Sequence, residues 1–490
     1  MAITHPYSWP EVRRGAERIV EETARALGRH GHDVTVLTSG AHASDAQSND
    51  HRTIRLRRRH ADSARHERWF ANAVMPRLVA GRFDVVHSLF PRDALAAVRT
   101  RRMGGHRVVY EELGIPFRWW WQQEPDREIR LRLVDQVDDY GCMSRAALRA
   151  LHRDHGRSGV LIPGGVRLDQ FTTARTREPY PTVLFSGTLT DHGKGLWLLA
   201  QAFNLVLREE PNAQLWLSGP GDPSEELADA SPAVRARTVH LELGEPGEQG
   251  ARYGRAWTTA LPSRGDSFGM VLIESLASGT PIVVGDDAAP PELVRPGIGV
   301  VVTLDDPKPL AAGILEAIDL ARDAATAERC RHSVTQFDWE SGIVPILEAV
   351  YRGEGVDPVD DELAPRRALA HDLAVRGEPR LDKACAIFVA EQSPADSRTL
   401  EIGCGAATTL LTALGTNHEC WPAPQGEVDC EPFDVVVVDA GLRLPPRLLE
   451  TFANRDLVDE GGLVVLHRHT DPQLALLAER FYRIHLQVPP

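Results

Sequence analysis

Short apolar segments alternate with amphipathic helical segments along the chain, and this alternation constrains the fold more than any other feature. An amphipathic segment from about Ala16 to Gly28 is followed by a His-Gly turn and by the apolar run Val34 to Thr38. Two more short strands are predicted at Phe83 to His87 and His106 to Tyr110. Such alternation is typical of a parallel sheet covered by helices. The sequence therefore predicts an α/β fold.

A second series of the same kind begins at Thr182. It comprises the strand VLFSG, the loop TLTDHGKG, a helix LWLLAQAFNLVLRE and the strand AQLWLSG. A polar, proline-containing run from Thr172 to Pro181 precedes it and suits a hinge. We therefore expect two facing, doubly wound domains, 1–177 and 178–352. A charged linker is predicted at 353–380, with a smaller α/β annex at 381–490.

Composition excludes several classes of protein. The 490 residues are 42% hydrophobic and 25% charged, as in soluble globular proteins, and the net charge of −14 argues against a nucleic-acid partner. No apolar run approaches ~18–20 residues and the first residues do not form a signal peptide, so we expect a cytoplasmic protein, at most peripheral to a membrane. Six cysteines without CxxC spacing are expected to be reduced thiols. No cluster of acids or histidines predicts a metal site.

The basic stretch from Arg52 to Arg68 leaves two interpretations open. It can hold a phosphate-bearing acceptor or an anionic membrane surface. Alternatively, it is a solvated strand edge protected by charge. The three consecutive tryptophans Trp119, Trp120 and Trp121 are equally open between packing and contact with an acceptor or lipid, although at least one is expected to be exposed.

The stretch from Pro262 to Val284 carries the clearest ligand site. Turn-forming residues lead to Asp266, a helix beginning near Gly269 holds Glu274, and a strand follows Gly279-Thr280-Pro281. The first backbone N–H groups of a helix have no acceptor within the helix and lie at the positive end of its dipole. Those of Gly269, Met270 and Val271 therefore predict an anion site suited to a diphosphate.

The sequence PSRGDSFGMVLIESLASGTPIV resembles the E-x7-E signature of family-4-like (group 1, glycogen-synthase-like) glycosyltransferases of GT-B fold. Asp266 stands where that family usually has the first Glu, and Glu274 is the second. The resemblance implies that Asp266 and Phe268 lie by the donor sugar and that Glu274 holds the nucleotide ribose. It covers about the first 350 residues.

Other stretches extend the same resemblance. Arg14-Gly15 matches the family's Gly-Gly loop, which faces the diphosphate, and Gly187-Thr188-Leu189…Lys194-Gly195 matches its GRL…KG motif. Lys194 is implied as the phosphate lysine, and Thr188 stands where an Arg is usual. The family's acceptor-side His is replaced here, so Glu111, Glu112 and His87 are weak substitutes.

The annex resembles a class I S-adenosylmethionine methyltransferase. Thr399 to Gly405 reads as a strand ending in ExGxG, and strands are also predicted at Phe433 to Asp439 and Gly461 to Leu466. The interval before Asp434 contains three prolines, and we expect it not to form the strand that would hold an adenosine ribose. The annex is therefore predicted to be a shortened packing or partner-binding module that does not bind S-adenosylmethionine.

The resemblance implies transfer of a sugar from a nucleotide diphosphosugar, UDP- or GDP-linked, to an unidentified acceptor that is a small molecule, a glycan or lipid-linked. Retention at the anomeric carbon and independence of metal and cofactor are implied as well. Asp266 and Lys194 are the predicted catalytic residues. The alternatives are a bifunctional glycosyltransferase and methyltransferase, a GT-B phosphorylase or epimerase, and a non-catalytic sugar-nucleotide-binding protein.

Overall fold

The computed structural model describes residues 1–12, 14–121, 123–171, 176–241 and 246–354, together with five strands of the C-terminal region. The chain divides into two compact units, Met1–Pro358 and Val359–Pro490. The predicted linker 353–380 lies almost wholly outside the described residues, as does part of the predicted hinge. The domain boundaries stay predictions.

The first sheet of the larger unit has eight strands in the order β3-β4-β2-β1-β5-β6-β7-β8. All neighbours are parallel except β3 and β4, which pair antiparallel at one edge. The strands are β1 (Ala2–Thr4), β2 (Thr35–Gly40), β3 (Ser44–Gln47), β4 (Arg52–Arg57), β5 (Val85–Ser88), β6 (Arg107–Glu112), β7 (Asp139–Cys142) and β8 (Val160–Leu161). The associated helices are α1 (Gly15–Arg29), α2 (Ser63–Gly81), α3 (Pro91–Gly104), α4 (Arg118–Trp121), α5 (Arg127–Gln136) and α6 (Arg145–His155).

The second sheet has six parallel strands in the order β11-β10-β9-β12-β13-β14. They are β9 (Thr182–Ser186), β10 (Gln214–Ser218), β11 (Thr238–Leu241), β12 (Thr258–Leu261), β13 (Ile282–Gly285) and β14 (Gly299–Val302). The helices are α7 (Leu196–Glu209), α8 (Pro232–Arg237), α9 (Pro246–Arg255), α10 (Met270–Ala277), α11 (Pro307–Arg322), α12 (Thr326–Ser333) and α13 (Val344–Arg352). The expectation of a two-domain, Rossmann-like α/β fold is confirmed.

Burial explains why these segments form central strands. Every residue of β9, β12 and β13 is buried, as expected for strands covered by helices on both faces. Burying one Val or Leu side chain contributes roughly 1.5–3 kcal/mol, so a run such as Ile282, Val283 and Val284 fixes its strand in the middle of the sheet. In contrast, β4 has exposed ends, and its arginines lie next to the edge strand.

The last helix of the larger unit returns to the first sheet. Tyr351 of α13 places its hydroxyl 2.8 Å from His87 Nδ1 of β5, and His87 Nε2 lies 3.1 Å from Glu111 Oε2 of β6. Glu348 of α13 also lies 2.9 Å from His32, just after α1. The sheets are therefore joined both by the chain at 162–181 and by this returning helix.

The C-terminal unit contains a five-stranded parallel sheet in the order β16-β15-β17-β18-β19. Its strands are β15 (Arg398–Ile402), β16 (Asn417–Trp421), β17 (Phe433–Val438), β18 (Val458–His467) and β19 (Arg483–Gln487). The predicted strands at β15, β17 and β18 are therefore present. The glycines Gly403 and Gly405 lie outside the described residues.

One prediction about this unit is wrong. The interval between β15 and β17 does form a strand, β16, which pairs in parallel with β15 from Arg398↔Asn417 to Ile402↔Trp421. The prolines that argued against a regular element all follow Trp421, so they do not interrupt the strand. Proline resists an element only where it lies inside it.

Within the described residues, no helix combines the length and the apolar character needed to cross a membrane.

Candidate functional site

A cavity of about 910 Å³ lies where the carboxyl ends of both sheets meet. In the first sheet the strand order reverses between β1 and β5, and the residues that follow these strands, His5 and Leu89, line the cavity. In the second sheet it reverses between β9 and β12, and the loops after them supply Lys194 and Ser263. Ligands of doubly wound sheets bind at such reversal points. The cavity therefore has the position of a substrate site on both sheets at once.

Lys194 projects into this cavity from the loop after β9. A single helical turn, His192–Lys194, begins where the Asp191 carboxylate accepts a hydrogen bond from the Gly193 N–H. The turn ends at Gly195, whose φ of +72° disfavours any other residue, and a Cβ there would also collide with the Pro262 carbonyl. The Lys194 ammonium donates to Asp266 Oδ2 over 2.8 Å. The two predicted catalytic residues are therefore in direct contact.

The helix that follows Asp266 begins as predicted. Gly269 precedes α10 with a φ of +93°, and a Cβ at this position would approach the Leu272 side chain to 2.7 Å. Glycine at this position therefore avoids both backbone strain and a collision. Ser267 Oγ donates to the Leu113 carbonyl over 2.6 Å and ties the entry loop of α10 to the first sheet. Met270 and Val271, in the first turn, are half-buried.

Glu274 lies inside α10 with only 2% of its side chain exposed. One carboxylate oxygen accepts from the guanidinium of Arg18 on α1, and the other accepts from the Tyr253 hydroxyl over 3.0 Å. Burial lowers the pKa of Arg18, but the charge and hydrogen bond of Glu274, together with Tyr253 and Glu22, outweigh burial, so the pKa is raised. Burial and then the Glu274 charge raise the pKa of Tyr253 well above its ordinary value, so this hydroxyl stays a donor.

A chain of hydrogen bonds supports this carboxylate from the second sheet. The Tyr253 hydroxyl oxygen also lies 3.0 Å from Ser186 Oγ at the end of β9, and Gln249 links Ser186 to Ser218 at the end of β10. Beside Arg18 is a recess of only about 60 Å³, which Gln249 also lines. Such a space admits a few water molecules and not a nucleoside. A ligand that reaches Glu274 from this recess therefore requires Arg18 to move.

The other predicted donor residues differ in exposure. Gly15 is exposed at the start of α1, Thr188 is exposed after β9, and Gly187 is half-buried. Phe268, by contrast, is only 5% exposed and packs edge-on against Phe337. Any donor contact at Phe268 is therefore made by its backbone.

The acceptor-side candidates separate into two groups. His87 contacts both Glu111 and Tyr351 in the core, and neither His87 nor Glu111 lines the cavity. Glu112 lines the cavity, where its carboxylate accepts from Arg130 and from the Tyr110 hydroxyl. The alternation of side chains along β6 places these neighbouring glutamates on opposite faces of the sheet.

The sequence did not predict His5 as a cavity residue, whereas it left the three tryptophans open between packing and contact with an acceptor or lipid. His5 lines the cavity, and burial lowers its pKa, which favours the neutral imidazole. Trp120 is 51% exposed at the cavity, whereas Trp121 is buried and stacks on His155. The side chain of Trp119 lies outside the described residues. His5 could have been found because it directly follows the first strand of the alternating series.

The described residues contain no group of three or more His, Cys, Asp or Glu side chains that could hold a metal ion. Of the six cysteines, Cys142 and Cys330 have side chains that the structure describes, and both are buried free thiols.

Comparisons with known proteins agree with this geometry. Residues 13–170 match the family described as Glycosyltransferase Family 4, and residues 180–319 match Glycosyl transferases group 1. These findings support a GT-B glycosyltransferase that uses a nucleotide-sugar donor. The phosphatidyl-myo-inositol mannosyltransferase of Mycobacterium tuberculosis is 27% identical over 380 residues, which cover 70% of this chain and 95% of that protein.

Two further matches extend the comparison. A GDP-mannose-dependent monoacylated alpha-(1-6)-phosphatidylinositol monomannoside mannosyltransferase of Corynebacterium glutamicum is 24% identical over 269 residues, covering 50% of this chain and 70% of that protein. Among solved structures, the sucrose-phosphate synthase of Thermosynechococcus elongatus has a TM-score of 0.62 and 21% identity, covering 72% of this chain and 98% of that one. The structural match shows the fold alone.

Proposed function

We propose that this chain transfers a sugar from a UDP- or GDP-linked donor to an acceptor hydroxyl with retention at the anomeric carbon. The observation that carries the proposal is the contact between Lys194 and Asp266 beside the cavity, directly before the helix that holds Glu274. A cation and a helix N-terminus are suited to bind a diphosphate, and a buried carboxylate is suited to accept hydrogen bonds from ribose hydroxyls.

In the proposed reaction, the acceptor oxygen forms a bond to the anomeric carbon as the bond from that carbon to the diphosphate oxygen breaks. The acceptor proton passes to the leaving diphosphate, and the products are a glycoside and a nucleoside diphosphate. Lys194 and the first N–H groups of α10 stabilise the negative charge that grows on the leaving group. Asp266 holds the Lys194 ammonium in place and contacts the donor sugar.

The proposed reaction needs neither a metal ion nor a cofactor, because fixed cations and backbone dipoles supply the positive charge. We therefore expect activity to survive a chelator. A strict requirement for a divalent cation would contradict this assignment of charge.

The direct test is donor binding followed by turnover. Calorimetry with GDP, UDP, ADP and TDP would identify the base, and GDP-mannose is the first donor to assay because the Corynebacterium relative is named as dependent on it. The anomeric configuration of the product is then read by NMR. Nucleotide binding without turnover of any donor would support the non-catalytic alternative, and an inverted product would exclude retention.

A further inference from the structure

His5 is a cavity residue with one ring nitrogen that the protein does not use. It directly follows β1, is 2% exposed and lines the cavity. Its Nδ1 lies 2.9 Å from the Tyr7 carbonyl oxygen and 3.3 Å from the Tyr7 nitrogen. Because a carbonyl oxygen only accepts hydrogen bonds, the shorter contact places the proton of the neutral ring on Nδ1. Nε2 therefore carries a lone pair.

The environment of His5 favours this neutral form. Burial lowers the pKa of His5 and the Arg14 charge adds to this effect, whereas the Tyr7 carbonyl and the Glu17 charge offset it only in part. A bound molecule at neutral pH therefore meets a hydrogen-bond acceptor at Nε2 and not a cation.

Nε2 has no hydrogen-bond partner among the described residues. The ring contacts the Tyr7 backbone and the aromatic rings of Tyr7 and Phe90, whose centres lie 6.1 and 5.9 Å from its own. These contacts do not enclose Nε2, so it opens to the cavity that His5 lines. Most buried polar groups in proteins have a hydrogen-bond partner, and this nitrogen can find one only in what the cavity holds.

The charged and titratable groups near His5 and Tyr7 have partners other than Nε2. They are Arg14 and Glu17 of α1, Arg58 after β4, His66 and Glu67 of α2, and Asp93 of α3. Arg14 lies 3.0 Å from Glu17, and the guanidinium groups of Arg14 and Arg58 lie 5.3 and 5.6 Å from the centre of the Tyr7 ring. The Tyr7 hydroxyl donates to Glu67 over 3.0 Å. Both arginines are hydrogen-bond donors only, but neither bonds Nε2, which stays available to a ligand.

The position of the Nε2 lone pair is fixed before a ligand binds. The bond from Nδ1 to the Tyr7 carbonyl sets the rotation of the ring, and Phe90 packs edge-on against it at 87°. A group that is already oriented loses little conformational freedom on binding. His5 is therefore suited to orient a molecule on the first-sheet side of the cavity, while Lys194 lines the second-sheet side.

The proposed reaction decides which hydroxyl can donate to Nε2. The proton of the reacting hydroxyl passes to the leaving diphosphate, and a hydroxyl has only one proton to donate. The hydroxyl at His5 is therefore a second one. We propose that His5 positions the acceptor by accepting a hydrogen bond at Nε2 from a hydroxyl other than the reacting one, so that the acceptor is a polyol and not a simple alcohol. This inference rests on the proposed function, because it takes the path of the proton from that reaction.

The first experiment compares acceptors that differ in their hydroxyl groups. The full-length protein is given the nucleotide sugar that it turns over, and release of nucleoside diphosphate is measured with cyclohexanol, cis-1,2-cyclohexanediol and methyl α-D-mannopyranoside. One hydrogen bond accounts for up to about tenfold, so we expect kcat/KM for the better polyol to exceed that for cyclohexanol by about tenfold. Equal values, or transfer to cyclohexanol alone, would overturn the proposal. Absence of donor turnover with every acceptor would instead refute the proposed function.

Two variants of His5 and a matched control locate the contact. His5→Phe keeps a ring against Phe90 but has no lone pair, so the preference for the polyol should disappear while donor KM stays within about twofold. His5→Gln has an amide oxygen that can accept and should retain part of the preference. A merely structural role would lower the rates with all acceptors together and leave their ratio unchanged.

The control is His106→Phe. His106 is also 2% exposed and bonds a carbonyl, that of Ala97, over 3.0 Å, but it does not line the cavity. The ratio of polyol to cyclohexanol kcat/KM should be unchanged in this variant. An unchanged ratio in a folded His5→Phe protein would overturn the proposal, and the comparison of acceptors with the wild type tests it even if His5→Phe does not fold.

Discussion

Replacing Glu274 with Gln tests the predicted ribose contact. In the structure the carboxylate is 2% exposed and is held between Arg18 and Tyr253. The amide keeps one oxygen acceptor for the Tyr253 hydroxyl but removes the negative charge. A hydrogen bond to a charged group contributes about 1.5–3 kcal/mol, so we expect the dissociation constants of nucleotide and nucleotide sugar to rise together, by about tenfold to about 150-fold.

The effect on stability should be smaller than the effect on binding. Arg18 loses its charged partner, but its side chain is 30% exposed and can be solvated. We therefore expect a fall of a few degrees in Tm and an unchanged circular dichroism spectrum.

Calorimetry with GDP and UDP measures the binding change. The matched control is Glu178→Gln, which makes the same substitution in a glutamate paired with Arg255 before β9, at the opposite end of that strand from Ser186. Glu178→Gln should leave nucleotide affinity unchanged. If a folded Glu274→Gln protein also binds nucleotide with unchanged affinity, the ribose lies elsewhere and the reasoning is refuted.

Four other changes probe the remaining assignments. Lys194→Ala should lower kcat on the order of 10²-fold and raise KM less, because the ammonium acts on charge that develops in the transition state; turnover within a few-fold of the wild type would remove it from the mechanism. Arg18→Met should tighten nucleotide binding several-fold, since Arg18 blocks the recess beside Glu274, and weaker binding would mean that Arg18 holds the ligand. The free energy of unfolding should fall as the pH drops below about 6.5, because burial lowers the pKa of four histidines and the unfolded chain then binds more protons than the native one. Chemical denaturation at pH 7.5 and 5.5 measures this free energy, and equal values at the two pH values would contradict the prediction. These histidines are His5, His66, His106 and His155. A chain ending near Gly353 should retain glycosyl transfer, since both sheets lie within the first compact unit, and a folded but inactive truncation would show that the C-terminal unit is required.

Local sequence patterns predicted most of the fold because each βα step is specified by neighbouring residues. Gly269 and the apolar run after it placed the start of α10, whereas the contact between Lys194 and Asp266 was found only in the structure. The contact between Arg18 and Glu274 was not predictable, because it joins residues 256 positions apart and no local pattern links them.

One open choice and one wrong prediction have equally local causes. The orientations of Glu111 and Glu112 depend on which residue of β6 faces the core, and adjacent glutamates give no signal of this. Strand β16 was missed because the prolines of this interval lie beyond its end, where they do not interrupt it. Both cases depended on the register of a segment and not on its composition.

The hydrogen bond from Ser267 to the Leu113 carbonyl has a consequence for how specificity can evolve in this protein. Leu113 lines the cavity on the side of the first sheet, and Ser267 immediately follows Asp266. A substitution that changes the shape of the cavity near Leu113 for a new acceptor is therefore expected to shift the loop that holds Asp266, which is proposed to contact the donor. We expect laboratory selection for altered acceptors to bring unintended changes in donor KM, and compensating substitutions to appear near residues 263–267.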